Sequence, residues 1–258
     1  MRKIDTVIFD WAGTTVDYGS FAPVQAFIEA FKEFGVEPTS EEVRKPMGML
    51  KKDHIRTMMQ MPRISQLWEE IHKSSWTEED VEEVYHASES GIMKILKNFA
   101  EPKPYVLDTI AILREYGVKI GSTTGYTDEM MEIVVPAAKA VGYDPDCWFS
   151  PNSTGNQGRP YPYMVFKNME KLGTKSVENA IKVGDTIADI LEGKNAGMIS
   201  VGIIEGSSVM GLSQKEYEAL NVEQRKTEDE RVRKAYEEAG ADYVIQDIRG
   251  VLGLVINE

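Results

Sequence analysis

A short apolar run that stops at an acid constrains this chain most: Thr6-Val7-Ile8-Phe9 is followed by Asp10 and a small-residue turn, Ala12-Gly13-Thr14-Thr15. Four β-branched or apolar runs of the same kind follow at 118–123, 180–183, 199–204 and 243–245. Amphipathic stretches occupy 104–116, 128–141, 162–172 and 223–239. Strands alternating with helices at this spacing predict an α/β fold built on a parallel sheet covered on both faces. Such a sheet gathers its ligands at the carboxyl ends of its strands. Asp10, Thr124 and Asp185 all stand at or just past the end of such a run.

Between the first and second runs the alternation stops. Helical periodicity covers 26–34, 41–45, 50–59, 64–73 and 79–96, with no strand pattern among them. Ser40 before Glu41 and Glu42, and Thr77 before Glu78, Glu79 and Asp80, predict helix starts with acids in the first turn. Pro46 and Gly48 interrupt the helical pattern. The region predicts a helical domain, 20–100, inserted into a core formed by 1–19 and 101–258, with hinges at 17–20 and at the proline-containing 100–104. The Gly- and Asn-rich segment 150–158 predicts a flexible loop, and the charge-dense 214–238 a solvated helix face.

The net charge of −13 argues against nucleic acid or an anionic membrane as partner. No apolar stretch approaches the roughly 20 residues of a membrane span, and the run closed by Asp10 is too short for a signal peptide, so a cytoplasmic location is expected. The single cysteine, Cys147, permits no intramolecular disulfide and fits a reducing compartment. Beside Trp148 and Phe149 it reads as a small buried apolar residue.

Four separated motifs fit one reaction centre. Asp10, leaving the first strand into a Gly-Thr turn, can offer oxygen to a metal and to phosphorus, while backbone N–H groups of the turn hold phosphate oxygens. Ser122, Thr123 and Thr124 bring hydroxyls to a second strand end. Arg159, between Gly158 and Pro160, suits a bidentate phosphate contact. Asp185 and Asp189, four residues apart at a strand-to-helix turn, can share one side and bind a hard cation. Singly, each motif has an ordinary structural explanation; their joint order carries the argument.

That order resembles the haloacid dehalogenase superfamily, and most closely its phosphonatase family. The similar segments are Phe9 through Asp17, Arg44 through Gly48, Lys51 through His54, Gly121 through Tyr126, Gly158 through Pro162, Val183 through Asp189 and Gly193 through Gly197. The resemblance implies a Rossmann-like core with an inserted all-helical cap, Mg²⁺ as cofactor, and a small-molecule phosphonate as substrate. It implies Asp10 as nucleophile, and Asp10, the carbonyl oxygen of Ala12 and Asp185 as metal ligands, with Asp189 orienting the metal shell. Thr124 and Arg159 would bind the phosphoryl group, Met47 and Gly48 would line the cap side, and Tyr126 either contacts substrate or packs. Superfamily phosphatases carry a second Asp two residues after the nucleophile to protonate an alkoxide; Ala12 stands there. Cleavage of a phosphorus–carbon bond calls instead for an electron sink, and the family pattern assigns that role to Lys51 rather than Lys52, as an imine with the substrate aldehyde. His54, three residues on and on the same helix face, is placed to carry protons near neutral pH. A homodimer formed through the cap is a further implication.

Overall fold

The computed structural model describes residues 4–256; the outermost residues of the expected core, 1–3 and 257–258, lie outside it. Six strands, β1 (Thr6–Phe9), β2 (Lys119–Thr123), β3 (Cys147–Phe149), β4 (Ala180–Gly184), β5 (Ile199–Ile203) and β6 (Tyr243–Ile245), form one sheet in the order β3-β2-β1-β4-β5-β6. All neighbouring pairs are parallel. This is the Rossmann-like order, with its switch point beside β1. Phe9 pairs in register with Ser122 and with Val183, so the chains leaving β1, β2 and β4 emerge at one edge. The sequence reading missed β3, a three-residue, half-buried edge strand too short to show a period. Cys147 is correspondingly half-buried rather than a core residue, and its thiol donates to Asn168 Oδ1 at 3.2 Å.

Before the sheet resumes come five helices, α1 (Phe21–Glu33), α2 (Ser40–Arg44), α3 (Lys51–Met59), α4 (Pro62–His72) and α5 (Glu78–Ile95). They hold an apolar cluster of their own that includes Phe27, Phe31, Val43, Ile55, Met58, Ile64, Trp68, Val81 and Val84. Each such fully buried large side chain contributes roughly 1.5–3 kcal/mol. Helix α2 starts at Ser40 as expected, with Thr39 as its cap: the Thr39 hydroxyl accepts from Glu42 N–H while the Glu42 carboxylate accepts from Thr39 N–H. Thr77 and Asp80 make the same reciprocal cap on α5.

The helices α6 (Val106–Glu115), α7 (Asp128–Ala140), α8 (Tyr163–Leu172), α9 (Ile187–Ala196), α10 (Gln214–Ala219), α11 (Val222–Glu238) and α12 (Gly250–Val255) belong to the sheet. Side chains of a strand alternate between faces. Val7 and Phe9 accordingly share a cluster with Val106, Ile110, Met131, Val134 and Val251, whereas Ile8 packs with Val165, Met169 and Ala196. The charge-dense tract is two helices rather than one solvated face, for Val232 and Tyr236 are buried beneath it. Segment 150–158 contains a 3-10 turn at Pro151–Thr154 that starts at Ser150, whose hydroxyl accepts from Asn152 N–H, and Ser150, Pro151 and Gly158 are buried. Among the described residues no helix is long and apolar enough to cross a membrane.

Two linkers join α1–α5 to the sheet. In the first, Asp17, Gly19 and Ser20 all take positive φ. The Asp17 carboxylate accepts from Phe21 and Ala22 N–H, each at 3.0 Å, and burial pushes its pKa up to about 6. In the second, Pro102 bridges to Val16 and Lys103 N–H donates to Thr15 O at 2.8 Å. Arg44, ending α2, donates to Gly19 O at 2.6 Å and to Ser208 O at 3.3 Å, fastening the helices to both a linker and the sheet.

Helix α11 reaches β5 across a glycine. A Cβ at Gly202 would lie 2.5 Å from the Tyr236 ring, whose hydroxyl sits 2.7 Å from Asp185 O and 3.0 Å from Ile203 O. Gly202→Ala is expected to cost about 1–3 kcal/mol by overpacking, read as a lower urea midpoint.

Candidate active site

Asp10 leaves β1 straight into the turn 11–16, where Gly13 N–H donates to Val16 O at 2.8 Å and the Thr15 hydroxyl donates to Asp10 O at 3.0 Å. The Asp10 carboxylate accepts from Arg159 Nη2 at 2.5 Å. Every nitrogen of that guanidinium is engaged: Nη2 also donates to Thr123 Oγ1 at 2.9 Å, Nη1 lies 3.1 Å from Asp189, and Nε 3.1 Å from Glu192. Burial works to deprotonate Arg159, but Asp10, Asp189 and Glu192 prevail and hold its pKa well above the ordinary value.

Asp10, Asp185 and Asp189 are all buried, and oxygens from the three lie within 4.8 Å of one another. They are not equally supplied with partners. Asp189 closes the N-terminal cap of α9 with Thr186 and accepts from Lys182 Nζ at 2.7 Å. Burial works to raise its pKa, but Arg159 and Lys182 outweigh it and hold it below the usual carboxylate range. Asp185 accepts from the Thr14 hydroxyl at 2.9 Å and from Ser208 N–H at 2.7 Å. Burial, then the charges of Asp10 and Asp189, push its pKa well above the usual value. Hard oxygen donors in a dry, negatively charged cluster fit a divalent cation, and the deficit of positive charge lies at Asp185 and Asp10 rather than at Asp189.

Lys51 opens α3 and faces the sheet. Its buried amine lies 5.2 Å from the ring centres of both Phe27 and Tyr126. Burial, with the Arg159 charge and against Asp10, lowers its pKa to about 8. Near pH 8 about half of this amine is neutral, against well under 1% for an ordinary lysine. His54 stacks on Phe27 with ring centres 4.1 Å apart. Burial and the Lys51 charge hold His54 well below its ordinary pKa. The expectation that His54 titrates near neutral pH is therefore corrected: its imidazole is neutral there, because water is excluded and a cation is adjacent.

Asp10, Ala12, Met47, Gly48, Lys51, Thr124, Tyr126 and Arg159 line one narrow cavity of about 30 Å³, between the helical region and the sheet edge. Asp185, Asp189 and His54 are not among its lining residues. The Thr124 hydroxyl accepts from Tyr126 N–H at 3.0 Å, which leaves its proton for another acceptor. Gly48 has φ +87, and a Cβ there would meet Thr186 Oγ1 at 2.4 Å, so the α2–α3 turn lies directly against the start of α9. Sequence reasoning did not find Lys182, Glu192 and Lys103. Lys182 did carry a signal: it is the one charged side chain in a five-residue strand that is otherwise apolar and fully buried.

A parallel sheet with three carboxylates and an arginine at its strand ends, crowned by helices inserted after β1, is the architecture of a haloacid dehalogenase-like hydrolase, and that family matches residues 4–197. The phosphonoacetaldehyde hydrolase of Lysinibacillus sphaericus is 50% identical over 255 residues, covering 99% of this chain and 94% of the relative. That of Parabacteroides distasonis is 48% identical over 249 residues, covering 96% and 94%. The crystal structure of a phosphonoacetaldehyde hydrolase-like protein from Oleispira antarctica superposes with a TM-score of 0.95 at 34% identity, covering 98% of this chain and 91% of the other. The chain belongs to the haloacid dehalogenase-like hydrolases and, within them, to the phosphonoacetaldehyde hydrolase family.

A methyl group at Gly13, whose φ is +84, would fall 2.0 Å from Asp185 Oδ2. Gly13→Ala is expected to lower the thermal midpoint by about 5 °C or more, from a clash and a disfavoured φ together, as read by calorimetry.

Proposed function

We propose that this enzyme hydrolyses the phosphorus–carbon bond of phosphonoacetaldehyde to acetaldehyde and phosphate. The observation that carries the reading is the buried Lys51 amine, its pKa lowered to about 8, sharing a narrow cavity with the Asp10 carboxylate, in a site with Ala12 where an ester-cleaving relative needs an acid.

Lys51 attacks the aldehyde and loses water, giving an imine that is protonated at nitrogen. Asp10 then attacks phosphorus; the electron pair of the breaking P–C bond flows toward the iminium, leaving an enamine on Lys51 and a phosphoryl group on Asp10. Protonation at carbon and addition of water release acetaldehyde and restore the amine. A second water releases phosphate from Asp10. Arg159, the Thr124 hydroxyl and the Trp11 and Ala12 amides that open the turn after Asp10 neutralise the transferring group. Asp10, Ala12 O and Asp185 would hold Mg²⁺, which when bound supplies positive charge between the nucleophile and an anionic substrate; Asp189, fixed by Lys182 and Thr186, would keep that carboxylate set in register. Tyr126, Met47 and Gly48 form the walls, and neutral His54 supports the Lys51 side. A cavity of about 30 Å³ is narrow for a phosphonate. Residues 20–100 therefore act as a cap that opens over a core of 1–19 and 101–258, and closure keeps the imine dry.

Borohydride added during turnover is expected to leave a two-carbon adduct on Lys51 by mass spectrometry. The neutral amine is the attacking form, so trapping and kcat/KM rise with pH and level off above about 8. Lys51→Arg should lose the adduct and lower acetaldehyde release by a factor on the order of 10⁴; an unmodified Lys51 in active enzyme would sink the mechanism. Chelation of divalent metal should stop acetaldehyde release, and added Mg²⁺ restore it.

A further inference from the structure

Lys103, in the second linker, is buried between two loops that the proposed chemistry does not account for. Its ammonium donates to Gly13 O and, at 2.7 Å, to Glu205 O. Each of those carbonyls belongs to a loop that holds one oxygen of Asp185. On the first loop Thr14, next to Gly13, donates its hydroxyl to Asp185 Oδ1 at 2.9 Å. On the second, three residues past Glu205, Ser208 N–H donates to Asp185 Oδ2 at 2.7 Å. The ammonium also lies 5.4 Å from the centre of the Tyr18 ring. Room for it depends on Gly206, at φ +68: a Cβ there would stand 2.8 Å from Lys103 Cε and 2.9 Å from Nζ.

We infer that Lys103 is a positioning residue that clamps the two loops gripping Asp185, and thereby sets the divalent-cation site from the linker leading out of the helical region. The inference rests on the reading of Asp185 as a metal ligand. Donors bonded to the loops around a ligating carboxylate fix where its oxygens point, and loss of such an outer partner weakens metal binding by about 10–100-fold. The same side chain is part of the linker that must flex when the helices part. Lys103 N–H is pinned to Thr15 O, so displacement of the linker is felt first at the Gly13 carbonyl, one peptide away from Ala12.

The test is a titration of the purified protein with Mn²⁺, followed by electron paramagnetic resonance of the free ion, for wild type, K103M and K103R. Circular dichroism verifies folding. K103M is expected to bind Mn²⁺ about tenfold more weakly, and its turnover to approach that of wild type when Mg²⁺ is raised in proportion. K103R, which keeps donors for both carbonyls, should recover most of the affinity. A lysine serving stability alone would instead lower turnover at every Mg²⁺ concentration without changing Mn²⁺ affinity, and that result overturns the inference. If K103M does not fold, the same titration on K103Q, which keeps a donor for one carbonyl, decides: unchanged affinity overturns the inference and an intermediate one supports it. Failure of the wild type to bind Mn²⁺ at all would instead refute the metal reading of Asp185, a different outcome from metal-binding wild type and variant alike.

Discussion

Like charges gathered at one dry sheet edge are the constraint from which the rest of this structure follows. Asp10, Asp185, Asp189 and Glu192 are buried within reach of one another, and each would cost several kcal/mol if left ionised and unpaired. Arg159 answers three of them with one planar group, because a guanidinium can face Asp10, Asp189 and Glu192 along different N–H directions at once. Lys182 reaches the same acids from within β4, at 2.7 Å from Asp189 and 3.4 Å from Glu192. What these two cations leave uncompensated is Asp185 and the open side of Asp10, which is where an oxygen-seeking cation fits. The parallel register of β1, β2 and β4 is the means of assembly, since it delivers an acid, hydroxyls and a second acid to one edge without any long loop.

The second constraint is the exclusion of water from the amine. Lys51 belongs to a helix whose buried apolar residues, Ile55, Met58 and Met59, serve an apolar cluster of their own, so its placement is fixed by packing rather than by an ion pair. Between the faces of Phe27 and Tyr126 the ammonium form loses hydration and gains only weak attraction from the rings. A neutral amine and a carboxylate nucleophile can then coexist in one cavity, each tuned by surroundings contributed by a different part of the chain.

Much of this was legible in the residues. Strand ends marked by Asp10, Thr124 and Asp185 announced the sheet edge, because a parallel strand buried on both faces must be apolar until it stops. The helical insertion was legible too, since 3.6-residue periodicity ran for some eighty residues without a strand. What escaped depended on partners distant in sequence. The edge strand at 147–149 was too short for a pattern. Lys103 looked like a linker cation because nothing nearby in the chain shows that Gly13 and Glu205 turn their carbonyls toward it. His54 was read with its ordinary titration because burial and the neighbouring ammonium are tertiary facts. Lys182 was visible as a charge inside an apolar strand, but its acid partners on α9 were not.

The contact at Gly48 has a consequence for how such a chain can vary. The α2–α3 turn rests on Thr186 and Ala188 with no space for a methyl group, and Thr186 is the residue that caps α9 against Asp189. The two halves of the molecule therefore meet like a lid ground to its jar, where thickness at a single point decides whether the rim seats. Side chains elsewhere along the rim can be exchanged for others of similar bulk, but at this point the only latitude runs toward less material, and glycine has already reached that limit. At this point the fit between the parts is thus set by what is missing from one residue.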